Sequence, residues 1–496
     1  MAGAAWAQAP DASPTIAVET VALENFEPTR DEALIEAFID GVVDAHMRNH
    51  KAPGVTVSFV RGGKVLFAKG YGHSDIENQI PVSGQDTLFR IGSISKTFIW
   101  VAAMKLAQEG KIDLDTDVNT YLKGLKLPAT YDAPVTMNHL MAHRAGFEDT
   151  FGVFMVADDD PRTLTEVLGA DMPKRVIAPG VRTSYSNWGT ALAVKVLEDV
   201  TGRPFRDFLQ DDILSPLAMT RTTIDGPSFA PAHLQKGFSK GYDATGVLKA
   251  QEPMQIGAFA PVGGIAATAA DMAQWMLILL NRGEHNGTIL FDKATADLMW
   301  SRAFNDRPDA PDIAHGFFAK NYLGHEVYSH GGGTTSFRSN MVLVPSLELG
   351  VFVSQNTSQK ANLVTELPDL IIQRLTPRGP SKKLTGLVPE KVGDYTGFYF
   401  ANRRSFSKFE KLFGLVDMIT ISGGENGALA LSTAGDVKAY FPVAGGGEVF
   451  RDRAGNQIAF SRDDRGQIVR ISTGHHSYER TTGLKSPIAL IAAIGI

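Results

Sequence analysis

The 496-residue sequence contains no cysteine. That excludes thiol catalysis, zinc–thiolate sites and a disulfide scaffold, and leaves the redox compartment open. Blocks of one charge sign are also missing: 48 basic and 54 acidic residues give a net charge of −6, spread along the chain. Such a surface offers no electrostatic footprint for nucleic acid or an anionic membrane. No phosphate loop, dinucleotide fingerprint or His-Glu-x-x-His zinc pattern occurs. Nor is there a run of about 20 apolar residues, the length a spanning helix needs. The apolar end, Ser486 to Ile496, is far shorter. It reads as a strand, as a docking tail, or as the opening of a membrane helix continued beyond it.

What remains is ordinary globular material, 44% hydrophobic and 21% charged, with enough apolar surface for a sizeable core. The length predicts two or three domains. Residues 1–30 form an N-terminal arm whose Ala-rich start has signal-peptidase spacing at Ala5/Ala7 or Ala7/Ala9. The basic and apolar regions of a leader are missing before it, so it reads as a signal-peptide remnant and predicts an exported, periplasmic protein.

The body divides by pattern. From Asp31 to His50, Leu34, Ile35, Phe38, Ile39, Val42 and Val43 mark one buried helical face. Val55–Val60 and Lys64–Lys69 flank Gly62-Gly63 as a hairpin, and a helix is expected from near Ser93 to Gly110. Residues 110–300 read as mainly helical with long loops. Asn340–Pro345 and Leu349–Ser354 then read as strands, followed by an amphipathic helix over 362–375. This order predicts an α/β (α+β) domain over 31–376, with an antiparallel sheet covered by helices plus an all-helical lobe. Residues 377–384 read as a linker. Short strands between Gly-, Asn- and Asp-rich turns predict a small all-β barrel or sandwich over 385–482, and 483–496 is the apolar tail.

Three groups of residues carry chemistry. Ser93-Ile-Ser-Lys96 places a hydroxyl and an amine three positions apart, on one helical face. A Ser is a weak nucleophile until a base takes its proton. A Lys can be that base if burial and the positive helix end depress its pKa. Tyr185-Ser-Asn187 follows Pro179-Gly180 in a loop entering a helix. A Tyr beside a cationic Lys can ionise or relay protons, and an Asn amide can hold a carbonyl. His330-Gly-Gly-Gly333 precedes a strand, where glycines let a substrate backbone approach and expose an N–H to an oxyanion.

Two further patterns fail their own requirements. Gly237-Phe-Ser-Lys-Gly241 fits G-x-S-x-G, but Pro231–Lys236 before it is no apolar strand. Asp113, Asp115 and Asp117 imitate a calcium loop, but its sixth and twelfth positions are Val118 and Gly124.

Taken in order, and with Thr87–Ser93, Thr136–Gly146 and Pro261–Thr268, these segments make residues 30–375 resemble the serine β-lactamase and penicillin-binding-protein-like family. The match is to its branch of esterases, D-aminopeptidases and related peptidases. The resemblance implies Ser93 as acylated nucleophile, Lys96 as its base and Tyr185 as proton shuttle. Asn187 resembles the substrate-orienting amide, and His330 with Gly332 the strand triad lining the site. The backbone N–H groups of Ser93 and Gly333 would form the oxyanion hole. Neither metal nor cofactor is implied. True β-lactamases usually begin that triad with a Lys whose charge helps to bind the substrate carboxylate. His330 is largely neutral at pH 7, which favours the peptidase or esterase branch. The barrel opening, Tyr395–Tyr399, resembles a lipocalin-like appendage of the same branch. The expected partner is a small peptide or ester, with amide hydrolysis of D-residue or linearised cyclic peptides first. Carboxylester hydrolysis comes second, then β-lactam hydrolysis or non-catalytic penicillin binding and sensing.

Overall fold

Burial on both sides explains the central strands. In β1 (Gly54–Arg61), Val55, Val57 and Phe59 join one apolar cluster while Thr56 and Ser58, equally buried, point the other way. The strand is therefore interior and covered on both faces. The computed structural model describes residues 31–481 except 151, 153–155, 244–246, 305–309, 359–362, 377–391, 408–417, 425–426, 434–435, 444–446, 454 and 475. The N-terminal arm, the linker and the apolar tail thus lie outside the described residues.

The strands β2 (Lys64–Asp75), β3 (Ile80–Pro81), β4 (Asp312–Ile313), β5 (Phe318–Tyr322), β6 (His325–Gly333), β7 (Arg338–Val344) and β8 (Leu349–Gln355) complete an antiparallel sheet. Its order is β4-β5-β6-β7-β8-β1-β2-β3. One face is covered by α1 (Glu32–His50), capped by Asp31, and by the last helix of the domain, Leu363–Leu375. Ile35, Ile39 and Val43 of α1 meet Leu367 and Ile371 over Val55, Val57, Val351 and Val353. The spacing of four between the α1 residues is the buried helical stripe read from the sequence.

The other face meets α2 (Ser95–Gln108), the helical lobe with α3 (Asn187–Thr201), and α4 (Ala269–Leu280). Phe98 of α2 stacks on Trp275 of α4 with centroids 4.1 Å apart, and both are fully buried. Truncating either to Ala would cost about 3–5 kcal/mol. The middle region is less purely helical than its sequence suggests. Short pairs form between Phe89–Arg90 and Ala266–Ala267, Gly241–Asp243 and Lys249–Gln251, and Glu284–His285 and Thr288–Ile289. Two-residue strands carry too little periodicity to be read from sequence.

Residues 397–481 close into an antiparallel barrel of eight strands, the first (Gly397–Ala401) pairing with both the second (Ile419–Gly423) and the last (Ser477–Thr481). Closure removes sheet edges, and Tyr399, Leu429, Phe450, Ile458 and Phe460 fill the interior. The barrel docks through polar contacts. The carboxylate of Glu148, itself 1% exposed, accepts from Phe406 N (2.7 Å), Ser407 N (2.8 Å) and Ser407 Oγ (2.5 Å). Asp149 N donates to Arg404 O, and Arg470 donates to Val181 O. Among the described residues, no helix is long and apolar enough to cross a membrane.

Candidate active site

Ser93 is held before the α-helix rather than inside it. Gly92–Ile94 form a single 3-10 turn and the α-helix starts at Ser95, so the helix begins two residues later than expected. The cause is Gly92, whose φ of +57° bends the chain into the turn. Ser95 then locks it, donating from Oγ to Gly92 O (2.6 Å) and accepting from Ile265 N (3.2 Å). The Ser93 N–H lies in the first helical turn, where no intrahelical acceptor exists.

Lys96 lies one turn on and is fully buried. Its Nζ lies 2.9 Å from Ser93 Oγ and donates to the Val262 carbonyl at 2.8 Å. Among the described residues, no carboxylate pairs with it. Burial first, and the nearby Arg403 guanidinium second, push its pKa well below the usual lysine value. The amine is thereby suited to receive a proton.

Tyr185 and Asn187 flank Ser186, the N-cap of α3, whose Oγ accepts from Gly189 N at 2.9 Å. The cap fixes where the loop ends, so both neighbours are aimed from the helix start. Ser186 N also donates to His143 Nδ1 (3.2 Å), and the His143 ring lies 4.3 Å from that of Tyr185. The Tyr185 ring centroid is 5.2 Å from Lys96 Nζ, and the side chain lines the same cavity as Ser93. Burial drives its pKa up to about 12, against the smaller opposing effects of Ser93 and Arg403. Of the two roles open to it in the sequence, the protonated relay fits and the resting phenolate does not.

The glycine segment is strand, continuous from His325 to Gly333. Its pairing is asymmetric: β7 pairs with it through Gly333, whereas β5 stops at Ser329. Residues 330–333 therefore leave one edge open toward Ser93. A Cβ on Gly332 would sit 1.9 Å from Ile91 O and 3.2 Å from Ser93 N. One on Gly92 would sit 2.6 Å from Gly333 N. The two amides named in the sequence reading thus meet at one place, and only glycines permit that approach. His330 is buried, with Nδ1 2.8 Å from Gly331 O and its ring 4.6 Å from Phe318.

Ser93, Lys96, Tyr185, Asn187, His330, Gly332 and Gly333 all line one cavity of ≈ 320 Å³. Sequence reasoning missed the apolar lining residues Met254, Ile256, Phe259 and Phe318, and two polar ones from the barrel region, Arg403 and His476. It also missed Val262 as the lysine's acceptor, although its segment had been singled out. The G-x-S-x-G serine is elsewhere: Ser239 is buried, donates to Lys240 O and accepts from Asn356. Gly241 after it opens a strand instead of a helix.

Relatives agree with this architecture. Over 360 residues the chain is 24% identical to Protein flp of Staphylococcus aureus (strain MW2), covering 72% of this chain and 69% of that one. It is 27% identical over 337 residues to a D-aminopeptidase of Gluconobacter oxydans (strain 621H), covering 66% and 60%. In three dimensions it resembles the octameric penicillin-binding protein homologue from Pyrococcus abyssi, with a TM-score of 0.59 at 23% identity. That likeness spans 89% of this chain and 99% of the other, so it includes the barrel. Residues 39–376, the sheet-and-helix body holding every cavity residue but Arg403 and His476, match the Beta-lactamase family, and the chain belongs to it.

Proposed function

We propose that this member of a serine-hydrolase fold family cleaves amide bonds of short peptides, including bonds at D-residues, through an acyl-enzyme on Ser93. The observation that carries the reading is Lys96: a fully buried amine without a carboxylate partner among the described residues, 2.9 Å from the Ser93 hydroxyl. Lys96 takes the Oγ proton as Ser93 attacks the carbonyl carbon. The developing oxyanion is held by the Ser93 and Gly333 amides, each such donor being worth about 10²–10³ in rate. Tyr185 passes a proton to the departing amine, the C–N bond breaks, and water then releases the acyl group by the reverse relay. Asn187 orients the acyl carbonyl. The open edge of His330–Gly333 receives the substrate backbone as an added strand.

The D-residue preference is supported by the likeness to the Gluconobacter D-aminopeptidase. A non-lysine start to the strand triad, His330, supports the peptidase branch over β-lactam hydrolysis. The signal-peptidase-like spacing of Ala5 and Ala7 supports an exported, periplasmic setting. The test is product analysis by mass spectrometry. Wild type and Ser93→Ala each receive one mixture of L- and D-peptides, short-chain esters and a cephalosporin. Cleavage by wild type alone, fastest on D-containing peptides, is expected. Fastest loss of the ester would make the chain a carboxylesterase, and equal cleavage by both proteins would remove Ser93 from the mechanism.

A further inference from the structure

Two barrel residues reach into the cavity, and one of them carries a fixed charge. Arg403 sits on the turn after the first barrel strand, and that turn is clamped to the hydrolase body. Ser184 Oγ donates to Asn402 O (3.3 Å) and Asp149 N donates to Arg404 O (3.1 Å), while Asn402 N, donating to Ser477 O (2.8 Å), ties the turn to the last barrel strand. The guanidinium lies over the Tyr185 ring at 4.9 Å from its centroid, and its Nε donates to Asp149 Oδ2 at 3.0 Å. These contacts use one edge and one face. Among the described residues, no protein group accepts from its two Nη nitrogens, although the side chain is only 31% exposed.

Lys96 and His330 do not offer a substrate that fixed charge. Lys96 is buried and engaged with Ser93 and Val262, and His330 replaces the lysine expected of the strand triad. A guanidinium with a free fork is the side chain best matched to a carboxylate, which it binds through two parallel N–H bonds. Its place beside Tyr185, the group that protonates the departing amine, puts it on the leaving-group side.

We infer that Arg403 is a specificity residue lent by the barrel, recognising a carboxylate on the leaving group of the substrate. The inference rests on the acyl-enzyme reading above and narrows its substrate class. The positive charge that the strand lacks is supplied from a different element, so the barrel is part of the substrate site.

The test compares two esters that differ only on the leaving group, 3-acetoxybenzoate and 3-acetoxybenzamide, each rate divided by its spontaneous hydrolysis. Wild type is expected to prefer the acid by about 10- to 100-fold in kcat/KM, the range of a charge-assisted pair. In Arg403→Met the ratio should fall to about one. Arg403→Lys, which keeps the charge and loses the fork, should fall between them. A wild-type ratio near one overturns the inference whatever the variants do. So does a ratio unchanged in Arg403→Met, which is what a purely structural arginine would give, since both rates would drop together. Should Arg403→Met fail to fold by circular dichroism, the wild-type and Arg403→Lys ratios decide alone. The parent reading fails differently: Ser93→Ala would then hydrolyse both esters as fast as wild type.

Discussion

A methyl group on Gly332 would test the oxyanion geometry directly. Its Cβ would fall 1.9 Å from Ile91 O and 2.9 Å from Ile91 C, backbone atoms that cannot rotate away. Restoring ordinary contact means opening the strand from the turn that carries Ser93 by about 1.3 Å. A shift of about 1 Å in a reacting geometry costs on the order of 10²-fold, and loss of one oxyanion donor about 10²–10³. Gly332→Ala should therefore lower kcat by about 10²–10³, with a stability loss of about 1–3 kcal/mol from overpacking. The control lies one residue away. A Cβ on Gly331 meets nothing nearer than Ser339 O at 3.9 Å, so Gly331→Ala should stay within about threefold of wild type. Ester hydrolysis at saturating substrate, with denaturant melts of both variants, gives the comparison. Equal kcat in the two alanine variants would refute the argument that this approach forms the oxyanion site.

Lys96→Met should abolish turnover yet raise the melting temperature at pH 7. Burial, with the Arg403 charge, holds the folded-state pKa well below that of the unfolded chain, so stability now rises with pH from the depressed folded pKa toward about 10.4, and Met removes that dependence. A melting temperature that falls, with the wild-type pH slope retained, would contradict this. Arg403→Met should move the acid limb of kcat/KM on a neutral ester to higher pH, because removing a nearby positive charge eases protonation of Lys96; an unmoved limb would show that burial alone sets it. Burial pushes the Glu148 carboxyl up, but hydrogen bonds from Ser407, Phe406 and the Lys174 contact outweigh it and hold the pKa below the usual glutamate value. Its contribution is thus complete above about pH 4.3 and lost as pH falls through the depressed value. Hydrogen exchange at Phe406 and Ser407 should accelerate in that window, and Glu148→Ala should reproduce the acceleration at pH 7. Slow exchange in the variant would mean that other contacts hold the turn.

Much of the site was legible because its parts are local. Ser93 and Lys96 share a face wherever that segment is helical, and Pro179-Gly180 ahead of Tyr185-Ser-Asn187 marks a loop entering a helix. The eight-stranded barrel was legible as a class from strand-and-turn rhythm, since each short strand carries its own alternation. The exact helix start was less so, because Gly92 and the Ser95 side chain interpose a turn that periodicity does not register.

Sequence alone offered the nucleophile and base candidates, the candidate relay and amide pair, and the succession of a helix-covered sheet by a small all-β domain. Each rests on neighbours within a few residues. Tertiary structure alone decided that the tyrosine stays protonated, that β5 stops at Ser329 to bare one strand edge, and that Arg403 faces Tyr185. Those outcomes depend on burial and on contacts between segments far apart in the chain, and no local pattern around Arg403 encodes which surface its turn will meet.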